Sequence, residues 1–323
     1  MKNFIIKKED VNKRLDKFLT ENLSNFSRSK LQKMIKAGDI SVNGNKASVH
    51  YFLREGDEII SQKPKVKSQK LEVKSNKGDD MVKNYNNIKV EDIIIHKEKD
   101  FFVVNKPAGI LVHPTDKKES DTLVNLLVKK YPALKKIGED ENRPGIVHRL
   151  DRYVSGLMVV ARSQKMFFLL KDQFKNRKVK KEYIALVYGN VGNHQGVIDF
   201  PIARSKESGK MAARAKSADL AKDEKEAFTE YELIKNIKNY SLLKVSIKTG
   251  RTHQIRVHIN AFGYPVVGDK IYLPKKFRRP RKWQGFDRLF LHSIKLGFED
   301  LKGDWREFES KMSKELEEFI ERI

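Results

Sequence analysis

His148-Arg149-Leu150-Asp151-Arg152-Tyr153-Val154-Ser155-Gly156-Leu157-Met158-Val159-Val160-Ala161 sets one acid between two arginines, just ahead of a glycine and an unbroken apolar run. Gly156 to Ala161 reads as a buried strand. The residues before it must then form a loop that delivers side chains to the edge of a sheet. Catalytic groups concentrate on such loops because a rigid scaffold holds them. Cationic neighbours favour the charged form of a carboxylate, and a charged Asp can serve as nucleophile or base. Alone, Arg-Leu-Asp-Arg reads as a surface ion pair, a common and weak arrangement. Its meaning depends on the rest of the chain.

Outward from this stretch the pattern is strand-rich. Ile93-Ile94-Ile95 and Phe101-Phe102-Val103-Val104 flank a short charged turn and read as a hairpin, broken after Asn105 by Lys106-Pro107-Ala108-Gly109. Ser163 is placed to cap a helix bearing Phe167, Leu170 and Phe174. Glu182 to Tyr188, Ala227 to Ile234 and Leu243 to Ile247 read as further strands, and Ser313 to Ile323 as an acidic amphipathic helix. Many strands with few intervening helices predict an α+β fold with a mostly antiparallel mixed sheet.

A second polar stretch is Thr249-Gly250-Arg251-Thr252-His253-Gln254-Ile255-Arg256-Val257-His258. Thr252 can cap a helix running to Gly263, with Ile255, Ile259 and Phe262 buried and His253, Arg256 and Asn260 on the other face. Arg256 would reach an acid from the helix start. The alternation of Ile255 and Val257 also permits a strand. His253 and His258 stand five apart with no carboxylate triad and no cysteine, so no metal site is expected.

The chain has 323 residues, 39% of them apolar, and no cysteine, which excludes disulfides and thiolate metal sites. No run of roughly 18 apolar residues occurs and the N-terminus lacks a signal-peptide core, so no membrane span and a cytoplasmic location are expected. Lys and Arg number 67 against 43 Asp and Glu, a net charge of +24 that attracts polyanions. Residues 1–60 read as a small α/β module: one helix with Arg14, Leu15, Phe18 and Leu19, a second capped by Ser27 with Leu31, Met34 and Ile35, then strands about an Asn43-Gly44 turn. Residues 61–88 are Lys-rich and poor in large apolar groups, and read as a flexible basic linker. Residues 89–323 form the remaining, larger domain.

Five stretches in order resemble the ribosomal large-subunit pseudouridine synthases. They are Asn105 to Gly109 with Val112-His113-Pro114, His148 to Ala161, Val179 to Val187, Gly250 to His258, and Gly263 to Asp269 through Tyr272; Leu291-His292 matches a further position. RLDKFL, SRSKLQKMIKAGDISVNG and REGDEI resemble an S4 RNA-binding module. The resemblance implies a pseudouridine synthase fold and isomerisation of uridine to pseudouridine without a cofactor. Asp151 matches the catalytic aspartate, Tyr183 the tyrosine that stacks on the target base, and Arg256 the arginine that pairs with the aspartate. Arg149 matches the arginine that helps hold RNA opened. Further RNA contacts are expected from Arg152, Lys106, Arg251, His253 and Gln254, and from Arg14, Arg28, Lys30 and Lys33 of the N-terminal module. The segment 275–287 adds Arg278, Arg279 and Arg281 interleaved with Phe277, Trp283 and Phe286, aromatics able to stack on bases. Residues 203–227 resemble a variable hairpin that selects substrate. Structured RNA, 23S ribosomal RNA or a large-subunit precursor, is the expected partner, and the protein is expected to act as a monomer.

The chain departs from the family pattern at Val154, where Thr is usual, and at Tyr153; Val keeps the shape of Thr and loses its hydroxyl. The family's late Pro-rich motif is also missing around Glu309 to Lys314. The competing reading is a non-catalytic RNA-binding or ribosome-assembly factor on the same fold, which would need none of Asp151, Tyr183 and Arg256. A DNA-binding regulator lacks a recognition-helix motif, and a nucleotide-dependent helicase lacks a P-loop.

Overall fold

In the computed structural model the described residues are 3–23, 28–61, 88–116, 119–205, 207–214, 223–274, 277, 286 and 288–323. The expected linker falls almost wholly on 62–87, outside them, as do Ser27, Arg278, Arg279, Arg281 and Trp283. The chain divides into two units, 1–78 and 79–323.

In the first unit, β1 (Phe4–Ile5), α1 (Leu15–Asn22), α2 (Arg28–Ala37), β2 (Ile40–Val42), β3 (Asn45–Lys46) and β4 (Glu58–Ser61) form two helices on a sheet of order β1-β4-β2-β3. Leu15, Phe18 and Leu19 of α1 meet Leu31 and Ile35 of α2 over Ile40 and Ile59, each side chain at most 4% exposed. Asn43 and Gly44 both take positive φ, 51° and 74°, as a two-residue hairpin turn requires.

The second unit contains α3 (Val90–Ile93), β5 (Ile94–Lys97), β6 (Phe101–Lys106), α4 (Leu123–Lys130), β7 (Ser155–Ala161), α5 (Gln164–Lys175), β8 (Lys180–Tyr188) and β9 (Gln195–Ile198). It continues with β10 (Ile202–Arg204), β11 (Met211–Ala213), β12 (Thr229–Ile237), β13 (Tyr240–Ile247), α6 (Gln254–Ala261), β14 (Leu291–Glu299), β15 (Trp305–Glu309) and α7 (Lys314–Arg322). Among the described residues, nine strands form one sheet in the order β5-β6-β7-β14-β8-β13-β12-β9, with β15 on β14. The β7–β14 pair is parallel and the others are antiparallel, so the sheet is mixed and mostly antiparallel as the strand pattern predicts. α3 takes up Ile93, expected in the first hairpin strand, so that strand instead runs over Ile94–Lys97.

Strand alternation supplies two cores. Phe102, Val104, Met158 and Val160 face one side; Phe101, Val103, Leu157 and Val159 face the other. β6 and β7 are therefore covered on both faces. Ser163 caps α5, its side chain accepting from the amide of Met166 at 3.3 Å. Phe286, expected to stack on bases, lies instead in the core, 3% exposed and stacked 4.1 Å from Phe319 of α7. Its apolar ring is withdrawn from water by the helix packed over it.

β7 pairs with β14 at Gly156, opposite Ser293. The glycine φ is 112°, and a Cβ there would stand 2.2 Å from the carbonyl oxygen of Ser293. This contact seats the loop before β7 beside β14 and β8. Gly156→Ala is expected to destabilise the protein by about 1–3 kcal/mol through backbone strain and overpacking, read as a lower denaturant midpoint.

Candidate active site

The loop 148–154 is pinned from below. Leu150 and Val154 are buried in the core, and the Val154 amide donates to the Asp151 carbonyl at 3.1 Å. Asp151, between these two anchors, is left half-buried with its side chain 19% exposed. Val154 packs in the cluster that contains Tyr183, Ile255 and Leu291, so an apolar side chain suits its surroundings.

The opposite wall is α6, and here one expectation is corrected. The helix begins at Gln254, capped not by Thr252 but by His253 in the left-handed region at φ 57° with no side-chain cap bond. Gln254 organises the turn. Its Oε1 accepts from Arg251 N at 3.0 Å and Thr249 Oγ1 at 2.8 Å, and its Nε2 donates to Phe228 O and Thr229 Oγ1, each at 3.0 Å. With every amide hydrogen-bonding group engaged and 3% exposure, Gln254 is a clamp between segments rather than an RNA contact.

Arg256 lies at the centre and is also buried, at 6% exposure. Its Nη1 donates to Asp151 Oδ2 at 3.0 Å. Its Nε and Nη2 form a fork on Asp269, at 2.7 Å to Oδ2 and 2.9 Å to Oδ1. Asp269 Oδ1 also accepts from the amides of Ile271 and Tyr272 at 2.8 and 3.0 Å. Burial alone would lower the guanidinium pKa, but Asp269 and Asp151 raise it above the usual range. Burial likewise opposes the charge of Asp269, yet the Arg256 bonds hold it below the usual carboxylate range. Asp269 thus fixes the guanidinium plane and leaves one edge for Asp151.

His253 Nε2 stands 3.8 Å from Asp151 Oδ2, and its Nδ1 is 2.7 Å from the hydroxyl of Tyr272. Burial pushes its imidazole below the ordinary value. Tyr183, on β8, is 6% exposed; burial and then the charge of Asp151 raise its phenol above the usual range, partly offset by a bond with Ser293. Its hydroxyl is therefore protonated at neutral pH. Asp151, Tyr183, His253 and Arg256 line one cavity of about 100 Å³.

The remaining expected residues divide. Arg149 is exposed and lines both this cavity and a larger basic cleft of about 490 Å³. Arg152 Nε donates to Gly109 O at 2.9 Å and its guanidinium lies 5.6 Å from the Tyr153 ring centroid. Arg251 Nε donates to Glu226 O at 2.9 Å while lining both cavities. Lys106 is corrected: it is fully buried, and its Nζ donates to the carbonyls of Pro107, Ile110 and Arg152 at 2.8, 3.0 and 3.1 Å. Burial, with the charge of Arg288, pushes it down to about 7. All three donors of its ammonium are spent on bolting the 107–110 loop to the Asp151 loop, so it has none for RNA. In the first unit Arg14 forks onto buried Asp16, at 3.1 Å on both oxygens. Arg28, Lys30 and Lys33 fall in α2, and their side chains lie outside the described residues. His258 stands apart from His253, its ring nitrogens 3.0 Å from Thr229 Oγ1 and 2.8 Å from Phe200 O.

Sequence reasoning missed Asp269 and Tyr272 as partners of the site. Both stood in a stretch already singled out, but nothing in a 13-residue spacing ties Asp269 to Arg256.

A family model described as RNA pseudouridylate synthase matches residues 100–261, and the S4 domain model matches 13–59. An uncharacterized RNA pseudouridine synthase of Aquifex aeolicus is 40% identical over 309 residues, 94% of this chain and 91% of the relative. The ribosomal large subunit pseudouridine synthase D of Borreliella burgdorferi is 33% identical, covering 95% of this chain and 88% of the relative. Among solved structures, human RNA pseudouridylate synthase domain containing 1 matches with a TM-score of 0.54 and 27% identity, over 68% of this chain and 82% of that one. With an S4 domain match ahead of the domain that contains Asp151, Tyr183 and Arg256, this chain belongs to the RNA pseudouridine synthase family.

Proposed function

We propose that this chain isomerises specific uridines of large-subunit ribosomal RNA, with Asp151 as the catalytic carboxylate. The observation that carries the reading is the buried Arg256, forked on Asp269 and presenting its free edge to Asp151 at the mouth of a cavity that Tyr183 also lines. A group held this way is preorganised, so little reorganisation is needed during reaction. The relatives named for the ribosomal large subunit support the choice of RNA. On this reading residues 1–60 grip RNA, 61–88 link, and 89–323 carry the reaction, in the cytoplasm and as a monomer.

The reaction breaks the C1′–N1 bond, turns the uracil and joins C1′ to C5; the proton lost from C5 is balanced by one gained at N1. It is redox-neutral and calls for no cofactor. The uridine must first leave its stack, which costs a few kcal/mol. Stacking on Tyr183 and basic contacts to phosphate offset that cost. Three first steps fit Asp151: attack at C1′, attack at C6, or removal of a ribose proton. The protonated phenol of Tyr183 fits a stacking partner on the route of the C5 proton.

The test is pseudouridine mapping of total RNA from cells with and without the gene. One or a few large-subunit sites are expected to vanish, and Asp151→Asn is expected not to restore them. An unchanged map in every RNA would overturn the reading in favour of a non-catalytic assembly factor. The affinity of the purified protein for its RNA is expected to fall steeply with salt, as phosphate contacts release counterions.

A further inference from the structure

The basic cleft beside the reaction cavity holds a cation that the described residues leave without a counter-charge. Among the described residues no Asp or Glu lines this cleft. Three of its cations find acids elsewhere: Arg143 on Asp140, Arg177 on Glu226 and Lys248 on Glu230, at 3.8, 3.0 and 3.0 Å. Arg149 and Lys175 are exposed, so water solvates them. Lys181 is far less exposed than these, its stem buried and its ammonium opening on the cleft. It is 7% exposed, and among the described residues no carboxylate, carbonyl or hydroxyl accepts from its ammonium. The ring of Phe174 lies beside it, its centroid 5.6 Å from Nζ.

Burial of a charge without a counter-charge is costly, and here it lowers the ammonium to about 8. The cleft floor is arranged so as not to worsen this. His148 stacks on Phe174 at 4.5 Å, accepts from the Val159 amide at 3.0 Å through Nε2, and is pushed by burial down to about 3. It is neutral and adds no like charge. Lys181 also stands two residues before Tyr183 on β8, which puts both side chains on the same face of the sheet. Tyr183 and Arg149 line the cleft and the Asp151 cavity alike. An anion seated at Lys181 would therefore adjoin whatever occupies the reaction cavity.

We propose that Lys181 binds a backbone phosphate of the RNA strand next to the flipped uridine, and so holds that nucleotide in register with Tyr183 and Asp151. The assignment rests on the functional reading above and names a contact within it. The phosphate supplies the missing counter-charge, and the charge-assisted bond fixes where the strand enters the site.

The test uses the full-length chain and a stem-loop RNA cut from large-subunit ribosomal RNA around a uridine found by mapping. Lys181→Met is expected to raise the Kd about tenfold and to reduce the salt slope of binding by about one, with Lys181→Arg restoring most of the affinity. Single uncharged methylphosphonate linkages are then scanned across the stem-loop. One linkage beside the target uridine is expected to cost the wild-type chain about the same tenfold and to cost Lys181→Met nothing further, because the two changes remove one contact. The scan on the wild-type chain needs no variant to fold. A flat scan with normal modification would overturn the Lys181 assignment alone. So would a Lys181→Met chain whose single-turnover rate falls while its Kd holds, since that marks a chemical role. A wild-type chain that binds the stem-loop and never modifies it removes the functional reading itself.

Discussion

Asp151→Asn is expected to leave the protein folded and RNA-bound while lowering the single-turnover rate of pseudouridine formation by at least about 10³-fold. The substitution is nearly isosteric, so the loop between Leu150 and Val154 keeps its anchors. The Asn carbonyl can still accept from Arg256 Nη1, which sits 3.0 Å from the wild-type carboxylate. Arg256 also keeps Asp269, so no buried charge is stranded. The unfolding free energy from denaturant titration should therefore change by no more than about 1 kcal/mol. What disappears is the negative charge and the nucleophile or base, whichever of the three first steps operates. Single-turnover assays on a stem-loop substrate separate this from binding. A rate within about tenfold of wild type would remove Asp151 from the chemistry, since a positioned acid or base is worth about 10²-fold or more.

Asp269→Ala is expected to cost about 3–5 kcal/mol of stability, the penalty of leaving half of a buried ion pair uncompensated. The fork on Asp269 supplies two of the bonds that Arg256 makes inside the protein, and the same carboxylate holds the amides of Ile271 and Tyr272. Removing it frees the guanidinium to turn fully toward Asp151, so activity should fall with stability. The acid limb follows from the same pair. The native pKa of Asp269 is depressed by its partners, so its stabilisation is complete above the ordinary value of 3.8 and is lost as pH falls through the lower native value. The wild-type chain should lose this contribution only in that acid range, whereas Asp269→Ala should lack it at neutral pH. Equilibrium denaturation at neutral and acid pH measures both. A loss under about 1 kcal/mol at neutral pH would mean that Arg256 finds other partners readily.

Much of the fold was legible because it is written in local periodicity. The run Gly156 to Ala161 is apolar at every position, and β7 is buried on both faces. The Asn43-Gly44 turn and the Ser163 cap depend on residue types whose backbone preferences act within a few residues. The start of α6 was misread because Thr252 is a good cap in isolation, while the long-range bonds of Gln254 to Phe228 and Thr229 set the turn one residue later. Phe286 and Lys106 were misread for the same kind of reason. An aromatic among cations, or a lysine at the end of a strand, looks exposed until the segment that covers it is known.

By itself, the sequence determined the mixed, mostly antiparallel sheet, the S4 module, and the ordered stretches that bring Asp151, Tyr183 and Arg256 forward as candidates. These rest on alternation, turn chemistry and residue type, all of which act over short spans of chain. Only the tertiary structure decided that Asp269 holds Arg256, that Lys106 and Gln254 face inward, and that among the described residues Lys181 has no counter-charge in its cleft. Each of those depends on which distant segments cover a polar group and what they offer it. Burial and hydrogen-bond partners are properties of that meeting, and no local pattern specifies them.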